Sequence, residues 1–439
     1  MKTTMSTPQI SPKTIPVDLN IEMSPKTRRA DSAGHVANNF QPQSKTDYDF
    51  TKLEDVRNYL RERRTEDREF ELQLLSGGTA NYVYRLTETS GERRGHTEIF
   101  KHAAEHLASN PAYILDPERM DYEARILHEL SEEEMCYCTI ANGFATPEIT
   151  NTHVHTVRPG FYERDSKLLN LEDGGNINLK NAYFELSAED VQEVGRELGK
   201  WLASLHGKTP TSHVSSTIPG RGNNKTAIKI CRYSYRNLPA VLSEYGHDAE
   251  LGHKINKYFG RLITKDEECV CHGDFWPGNI LLRSGVSGRG PHVLTVVDWE
   301  MVRIGNSATD VGQFAAEAFL LDRFHGNKGL HAAFIRAYFE TSAVSYGDKE
   351  RIYPWMTRVA IHFAVHIAFW PTRSVHWANG EDTKALVNLG VAVLQDAISS
   401  LPNAMVWRVF EGLPGLDVIA QELMEKRGGP YKDAHSPQF

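Results

Sequence analysis

The chain has 439 residues, of which 40% are apolar and 24% are charged, a balance that is ordinary for a protein with a sizeable buried core. Its formal net charge of −8 argues against nucleic acid or an anionic membrane as the main partner. The sequence has no run of about 18 apolar residues, so no membrane span is predicted. Residues 1–20 also lack the apolar core of a secretory signal. We therefore expect a cytoplasmic protein, long enough for about two domains.

Both ends of the chain differ in composition from the middle. Residues 1–46 are rich in Ser, Thr, Pro, Asn and Gln, and such a segment cannot bury enough apolar surface to become ordered. We predict a disordered N-terminal tail there and a second tail over residues 426–439. After the first tail, apolar residues recur at helical spacing over 53–64, which predicts a short amphipathic helix that packs on the first folded part of the chain.

A glycine-containing turn joins two predicted strands early in the chain. Residues 70–75 alternate as a strand, and a second strand returns after Gly77, Gly78 and Asn81. Such a turn can lay backbone amides over the phosphates of a nucleotide, although Gly-Gly between two strands is also typical of a plain hairpin. On the first interpretation, Gly77, Gly78 and Asn81 bind the cofactor.

A lysine and a glutamate follow at positions suited to handling phosphate charge. Residues 98–101 have the pattern of a strand that ends in Lys101, and residues 119–130 that of a helix that contains Glu123. Lys101 would neutralise nucleotide phosphates, and a carboxylate from the helix would hold its ammonium group in place. We predict that Glu123 is this carboxylate. Two neighbouring acids remain open as alternatives: Glu118 and Glu129.

The stretch 167–175 passes from an apolar strand into an acidic connector with two glycines. This pattern is typical of a hinge between two lobes, where the backbone can hydrogen-bond an adenine ring. We therefore predict cofactor-binding positions at Glu172 and Asp173. A capped helix then begins after Ser187 and continues to His206, with two glycines that permit close packing. His206 is expected to have a structural role.

Two later stretches carry the chemistry. Residues 271–282 contain Asp274 and Asn279 ahead of an apolar strand. Residues 294–300 contain a second predicted strand, 294–297, with Asp298 just past its end. Phosphoryl transfer needs a carboxylate to orient and deprotonate the acceptor hydroxyl, and oxygen ligands that hold Mg²⁺ on the nucleotide phosphates. The spacing Asp-x4-Asn lets one loop aim both side chains at the same volume. We predict Asp274 as the base, with Asn279 and Asp298 as the Mg²⁺ ligands.

Together these motifs resemble those of the aminoglycoside phosphotransferase and choline kinase superfamily, which has His-Gly-Asp before the Asn and an Asp-Trp-Glu-type metal motif. The resemblance implies an α+β, two-lobed, protein-kinase-like fold. A small antiparallel-sheet N-lobe would cover residues 47–172. A larger, mostly helical C-lobe with the catalytic loop and the acceptor pocket would cover residues 173–425. In relatives an Asp at the position of Asp310 steadies the catalytic loop, and we expect the same here.

The resemblance implies an ATP-dependent kinase that uses Mg²⁺ and phosphorylates a hydroxyl of a small-molecule acceptor. Residues 47–134 also loosely resemble methylthioribose kinases, but that branch usually departs from Asn at the position of Asn279. Two alternatives remain open: a pseudokinase-type nucleotide-binding regulator, and a protein kinase, which the Trp-Glu after Asp298 disfavours. The acceptor, the choice between ATP and GTP and the oligomeric state are left open by the sequence.

Two further features allow more than one interpretation. The five cysteines include two C-x-C pairs, whose spacing is shorter than the two to four residues usual in zinc sites, so free thiols are expected. Aromatic and histidine side chains recur at three- and four-residue steps over 352–370. This segment is predicted to be either a core helix or a helix with one face on the acceptor pocket.

Overall fold

The computed structural model of the chain describes residues 48–64, 69–76, 78–140, 152–283, 292–342, 349–373, 377, 379–399 and 409–410, with the backbone alone for 132–140 and 349–351. Gly77 and both predicted tails lie outside these residues.

The first part of the chain forms mainly strands. In chain order its elements are α1 (Leu53–Arg63), β1 (Phe70–Leu74), β2 (Tyr82–Glu88), β3 (Thr97–His102), β4 (His106–Leu107), β5 (Asn110–Ile114), α2 (Arg119–Ile140), β6 (Thr152–Thr156), β7 (Pro159–Glu163) and β8 (Leu168–Glu172). Five of these strands build an antiparallel sheet in the order β1-β2-β3-β8-β7. Side chains alternate across it, so that Tyr84 and Leu86 are buried against the Val56 face of α1.

The rest of the chain is mainly helical. Its elements are β9 (Ile177–Asn178), α3 (Leu179–Ala182), α4 (Ala188–Lys208), α5 (Ser212–Ser215), α6 (Lys225–Glu244), α7 (Ala249–Ile255), β10 (Cys269–Cys271), β11 (Ile280–Arg283), β12 (His292–Val296), β13 (Arg303–Gly305), α8 (Ala308–His325), α9 (Leu330–Thr341), α10 (Lys349–Arg373) and α11 (Gly380–Ala397). The sheet-based first lobe and the helical second lobe confirm the predicted α+β, two-lobed, kinase-like fold. None of the helices in the described residues is both long and apolar enough to cross a membrane.

The second lobe is built on close contact between α4 and α9. A Cβ atom on Gly199 would lie 2.5 Å from the carbonyl oxygen of Phe334, and one on Gly195 would lie 3.0 Å from that of Leu330. Any larger residue would therefore push the two helices apart. The sequence-based prediction that these glycines allow close packing is confirmed.

Short strands position the two segments that contain Asp274 and Asp298. β11 and β12 form the predicted antiparallel hairpin, with Ile280 opposite Val296, inside a four-stranded sheet of order β6-β12-β11-β9. β6 lies within the segment 47–172 that was assigned to the first lobe, but it pairs in parallel with β12. β10 enters the catalytic loop and pairs with β13. The loop before β11 and the turn after β12 therefore emerge side by side.

Helix α10 contains the aromatic segment 352–370 and lies in the core. Trp355, Val359 and Phe363 are buried. The helix packs so tightly on α8 that a Cβ atom on Gly312 would lie 2.9 Å from the carbonyl oxygen of Val359. The core interpretation of this segment is confirmed. Cys231, Cys269 and Cys271 are free cysteines; the side chains of Cys136 and Cys138 lie outside the described part of the chain.

Candidate active site

The catalytic loop brings Asp274 and Asn279 into direct contact. The Asn279 side-chain Nδ2 donates to the Asp274 carbonyl oxygen at 2.9 Å and to its carboxylate Oδ2 at 3.0 Å. Since the amide nitrogen faces Asp274, the amide oxygen at the other end is left for a different partner. A carbonyl-type oxygen is a suitable ligand for Mg²⁺. This arrangement suits an asparagine that supports the base and binds a cation at once.

Asp310 holds the start of the catalytic loop through its backbone. Its carboxylate accepts hydrogen bonds from the backbone N–H groups of His272 at 2.7 Å and Gly273 at 3.0 Å, and lies 3.2 Å from His206 Nε2. Burial opposes ionisation, but the hydrogen bond and charge of His206 hold the pKa of Asp310 at about 2. His206 contacts Asp310 and the hydroxyl of Tyr338, which agrees with the structural role expected for it.

Gly273 is required by the shape of the loop. Its φ is +88°, and an added Cβ atom would lie 1.8 Å from the carbonyl oxygen of Met301. A left-handed backbone conformation is costly for residues other than glycine. The closeness of the Met301 carbonyl oxygen also leaves no room for a side chain. The position directly before the base is therefore restricted to glycine.

His272 connects the catalytic loop to the strand that leads to Asp298. Burial lowers the pKa of His272 to about 4, so its ring is neutral at pH 7. Its Nε2 lies 3.1 Å from the carbonyl oxygen of Val297, and its Nδ1 accepts from the backbone N–H of Asp274 at 3.3 Å. The backbone N–H of Val297 also donates to the carbonyl oxygen of Asn279 at 3.0 Å. These bonds fix the base and the strand end relative to each other.

Lys101 lies between two carboxylates from different parts of the chain. Its ammonium Nζ is 2.7 and 2.9 Å from the Glu123 oxygens and 2.5 Å from Asp298 Oδ1. Burial opposes its charge, but Asp298 and Glu123 raise the pKa of Lys101 above its usual range. Asp298 has left-handed backbone angles, φ 68° and ψ 60°, which turn its side chain back from the end of β12 toward Lys101.

The competing acids of α2 have other partners. Glu118 pairs with Arg221, and Glu129 pairs with Arg125. The predicted pairing of Lys101 with Glu123 is thus confirmed as a contact. That these two groups act on a nucleotide stays a prediction.

The predicted Mg²⁺ ligands present the right kind of donor. Asp298 is half-buried, and the Asn279 side chain is held by Asp274. Carboxylate oxygens of Glu123, Asp298 and Glu300 also lie within 4.8 Å of one another. Hard oxygen donors of this kind suit Mg²⁺, so the residues present fit the ion. Asn279 and Asp298 would hold it, and this assignment stays a prediction.

We call the turn between β1 and β2 the phosphate loop, because it is predicted to lie over nucleotide phosphates. Asn81 of this loop and both predicted hinge acids contact other protein groups. The Asn81 side chain is buried, and its amide contacts Glu300 and Arg119. Gly78 lies in the turn before β2. At the hinge, the carboxylate of Glu172 accepts from the backbone N–H of Arg158 at 2.9 Å.

The other hinge acid, Asp173, binds two arginines. Its carboxylate lies 2.7 Å from Arg85 Nε, and its carbonyl oxygen accepts from the Arg283 guanidinium. A cavity of about 320 Å³ opens beside these groups, between strands of both lobes. Its lining includes Arg85, Thr87, Thr97, Asp173, Asn176 and Arg283. The direct cofactor contacts of Gly78, Asn81, Glu172 and Asp173 stay predictions.

Sequence reasoning missed three polar residues of the site. Gln313 donates from Nε2 to Asp274 Oδ1 at 2.6 Å, and Arg119 and Glu300 form an ion pair at 2.8 Å. For Gln313 a signal was present, because it lies one helical turn after Asp310 and therefore faces the same loop. Burial and the nearby Asp298 raise the pKa of Asp274 to about 7, although Gln313 and Asn279 lower it.

Replacing Gln313 with leucine should impair the base most at low pH. Because the Gln313 hydrogen bond stabilises the ionised carboxylate, its loss raises the pKa of Asp274 further, and less of the base is ionised at pH 6. We expect kcat/KM to fall by roughly tenfold at pH 6, in line with the loss of one hydrogen bond to a charged group, and by less at pH 8. A pH–rate profile tests this, with Gln192→Leu at an exposed position of α4 as control. An equal loss at both pH values would contradict it.

The Asp274–Asn279 and Lys101–Asp298 contacts, in a two-lobed fold of this kind, match the arrangement predicted for a kinase-type phosphotransferase. A family model described as the phosphotransferase enzyme family matches residues 71–355. The chain belongs to this family, and the predicted resemblance is confirmed. It is an ATP-dependent phosphotransferase that acts on a hydroxyl group, and its relatives are small-molecule kinases.

Two relatives carry the name 4-hydroxytryptamine kinase. The protein from Psilocybe cubensis is 24% identical over 346 residues, covering 76% of this chain and 90% of that protein. The one from Psilocybe cyanescens is 26% identical over 354 residues, covering 77% and 91%. Among solved structures, a choline/ethanolamine kinase family protein from Mesorhizobium loti matches with a TM-score of 0.42 and 13% identity, covering 82% of this chain and 100% of that one.

Proposed function

We propose that this chain transfers the γ-phosphoryl group of ATP, with Mg²⁺, to the hydroxyl of a small metabolite that carries an amine. One observation supports the reaction above all: Asp274 contacts Asn279, while Asp298 of the adjoining strand end contacts Lys101. The names of the two fungal relatives support the acceptor class. The overall charge of −8 mildly favours a cationic acceptor through electrostatic steering.

The proposed mechanism assigns each group one task. Asp274 orients the acceptor hydroxyl and takes its proton as the oxygen bonds to the γ-phosphorus and the bond to the β-phosphate oxygen breaks, releasing ADP. A carboxyl group with a pKa of about 7 is matched to this task near neutral pH. Lys101, fixed by Glu123, neutralises α- and β-phosphate charge. Mg²⁺, held by Asn279 and Asp298, would supply further charge neutralisation at the phosphates.

A panel of acceptors tests the proposal. Purified protein with MgATP is incubated with 4-hydroxytryptamine, tryptamine, ethanolamine, choline, gentamicin and the amine-free methylthioribose, and phosphorylated products are detected by mass spectrometry. We expect one hydroxylated amine to be phosphorylated, and tryptamine, which has no hydroxyl, to give no product. Phosphorylation of hydroxylated compounds that lack an amine, in preference to amines, would contradict the acceptor class. MgATP binding without any transfer would support the pseudokinase alternative, and preference for methylthioribose would support that branch of kinases.

The proposal includes the cytoplasmic location expected from the sequence. Cell fractionation tests this point, and recovery in a membrane pellet would contradict it.

A further inference from the structure

A buried arginine links the phosphate loop to the metal motif. Arg119, the first residue of α2, is only 1% exposed. Its Nε donates to Glu300 Oε2 at 2.8 Å, and its Nη2 donates to Asn81 Oδ1 at 2.9 Å. Asn81 Nδ2 closes the triangle by donating to the same Glu300 oxygen at 2.7 Å. We call these three side chains the Arg119–Glu300–Asn81 brace.

The brace joins three separate parts of the chain. Arg119 also donates to the carbonyl oxygen of Ala80 in the phosphate loop at 3.3 Å and to that of Asp116, just before its own helix, at 2.9 Å. Glu300 lies two residues after Asp298. A shift of the phosphate loop relative to the end of β12 would therefore break several hydrogen bonds at once.

The charges around the brace explain why an arginine is needed. Carboxylate oxygens of Glu123, Asp298 and Glu300 lie within 4.8 Å of one another, and like charges this close repel unless each is paired. Lys101 lies between Glu123 and Asp298. Arg119 pairs with Glu300, which is 3% exposed. Asp298, which is half-buried, is thereby left as the carboxylate most open to a cation.

We propose that Arg119 is a positioning residue of the nucleotide site: through the brace it fixes the phosphate loop against the strand end that carries Asp298, so that MgATP binding depends on all three side chains together. The inference rests on the proposed function only in requiring that the site binds MgATP. Lysine cannot replace Arg119, because its single ammonium lacks the planar fork that reaches Glu300 and Asn81 at the same time.

The first test compares Arg119→Lys with the wild type by calorimetric titration of MgATP and by the Mg²⁺ concentration that gives half-maximal binding. We expect MgATP to bind about tenfold more weakly, the size expected for losing a charge-assisted hydrogen bond, and more Mg²⁺ to be required. Arg125→Lys is the matched control, because Arg125 lies on the same helix and its side chain is 46% exposed. It should bind MgATP like the wild type.

A double-mutant cycle separates the brace from a direct phosphate contact of Asn81. If the three side chains act together as a brace, Arg119→Lys and Asn81→Ala remove the same constraint, and their effects on MgATP affinity are not additive. Two independent contacts would give additive effects. Should Arg119→Lys fail to fold, the cycle is measured between Asn81→Ala and Glu300→Gln instead.

The outcomes distinguish this inference from the proposed function. Wild-type MgATP affinity in a folded Arg119→Lys protein, or additive effects in the cycle, would overturn the brace while phosphoryl transfer stands. A wild-type protein that binds MgATP and phosphorylates no acceptor would overturn the proposed function, and the binding measurements would still decide the brace.

Discussion

Replacing Asp274 with asparagine should lower kcat by about 10²- to 10⁴-fold, the contribution typical of a general base, while MgATP binds almost as in the wild type. The substitution keeps the shape of the side chain but removes its ability to take a proton. The contacts of Lys101 with Glu123 and Asp298 do not include Asp274 and should persist. Single-turnover transfer and calorimetric MgATP binding, measured on the same preparation, separate the two effects.

Asp248→Asn serves as the control for this experiment. Asp248 is exposed and caps α7 by accepting from the backbone N–H of Glu250, a role that asparagine fills equally well. The control should retain wild-type turnover. Turnover at the wild-type rate in the Asp274 variant would refute its assignment as the base.

Replacing Asp298 with alanine should remove the dependence of nucleotide affinity on Mg²⁺. Loss of a group that supports a metal ligand lowers metal affinity roughly 10–100-fold. Because Asp298 would be a direct ligand, we expect the affinity for MgATP to fall by more than this. ATP without Mg²⁺ should bind the variant at least as well as it binds the wild type, since Lys101 retains Glu123 and loses a competing carboxylate. Titration of ATP with Mg²⁺ and with a chelator measures both affinities.

The chelator series is also the internal control for Asp298→Ala. A variant that has lost its fold would bind ATP poorly under both conditions, whereas loss of a metal ligand affects only the Mg²⁺ condition. Unchanged Mg²⁺ dependence would remove Asp298 from the proposed ligand set.

Local sequence patterns indicated the parts of the site that lie on regular elements or in one short loop. Lys101 lies one residue before the end of β3 and Glu123 lies on the next long helix, and the two side chains come within 2.7 Å of each other. Asp274 and Asn279 lie five residues apart in one loop, and this short separation keeps their side chains within contact distance. The hairpin of β11 and β12 follows from two apolar runs. In each case the partners lie on predicted elements or in one loop that the sequence indicates, although the choice of Glu123 over Glu118 and Glu129 needed the structure.

Tertiary packing sets the contacts that the sequence did not reveal. Asn81 and Glu300 are 219 residues apart, and Arg119 and Glu300 are 181 apart. Their meeting depends on how α2 lies across the end of β12, and no local pattern encodes this. The hinge gives a second example, because the carboxylate of Asp173 is directed at Arg85 of β2. Sequence reasoning could predict the backbone of the connector but not the direction of its side chains.

The tight turn at Gly273 restricts how the enzyme can be controlled. Protein kinases carry an arginine directly before the catalytic aspartate, and basic side chains of this kind can receive a phosphorylated segment that orders the site. Here the Met301 carbonyl oxygen occupies the space that any such side chain would need. The catalytic loop is instead tied to Asp310 from within the fold. A phosphorylated segment therefore finds no basic side chain to bind at this position.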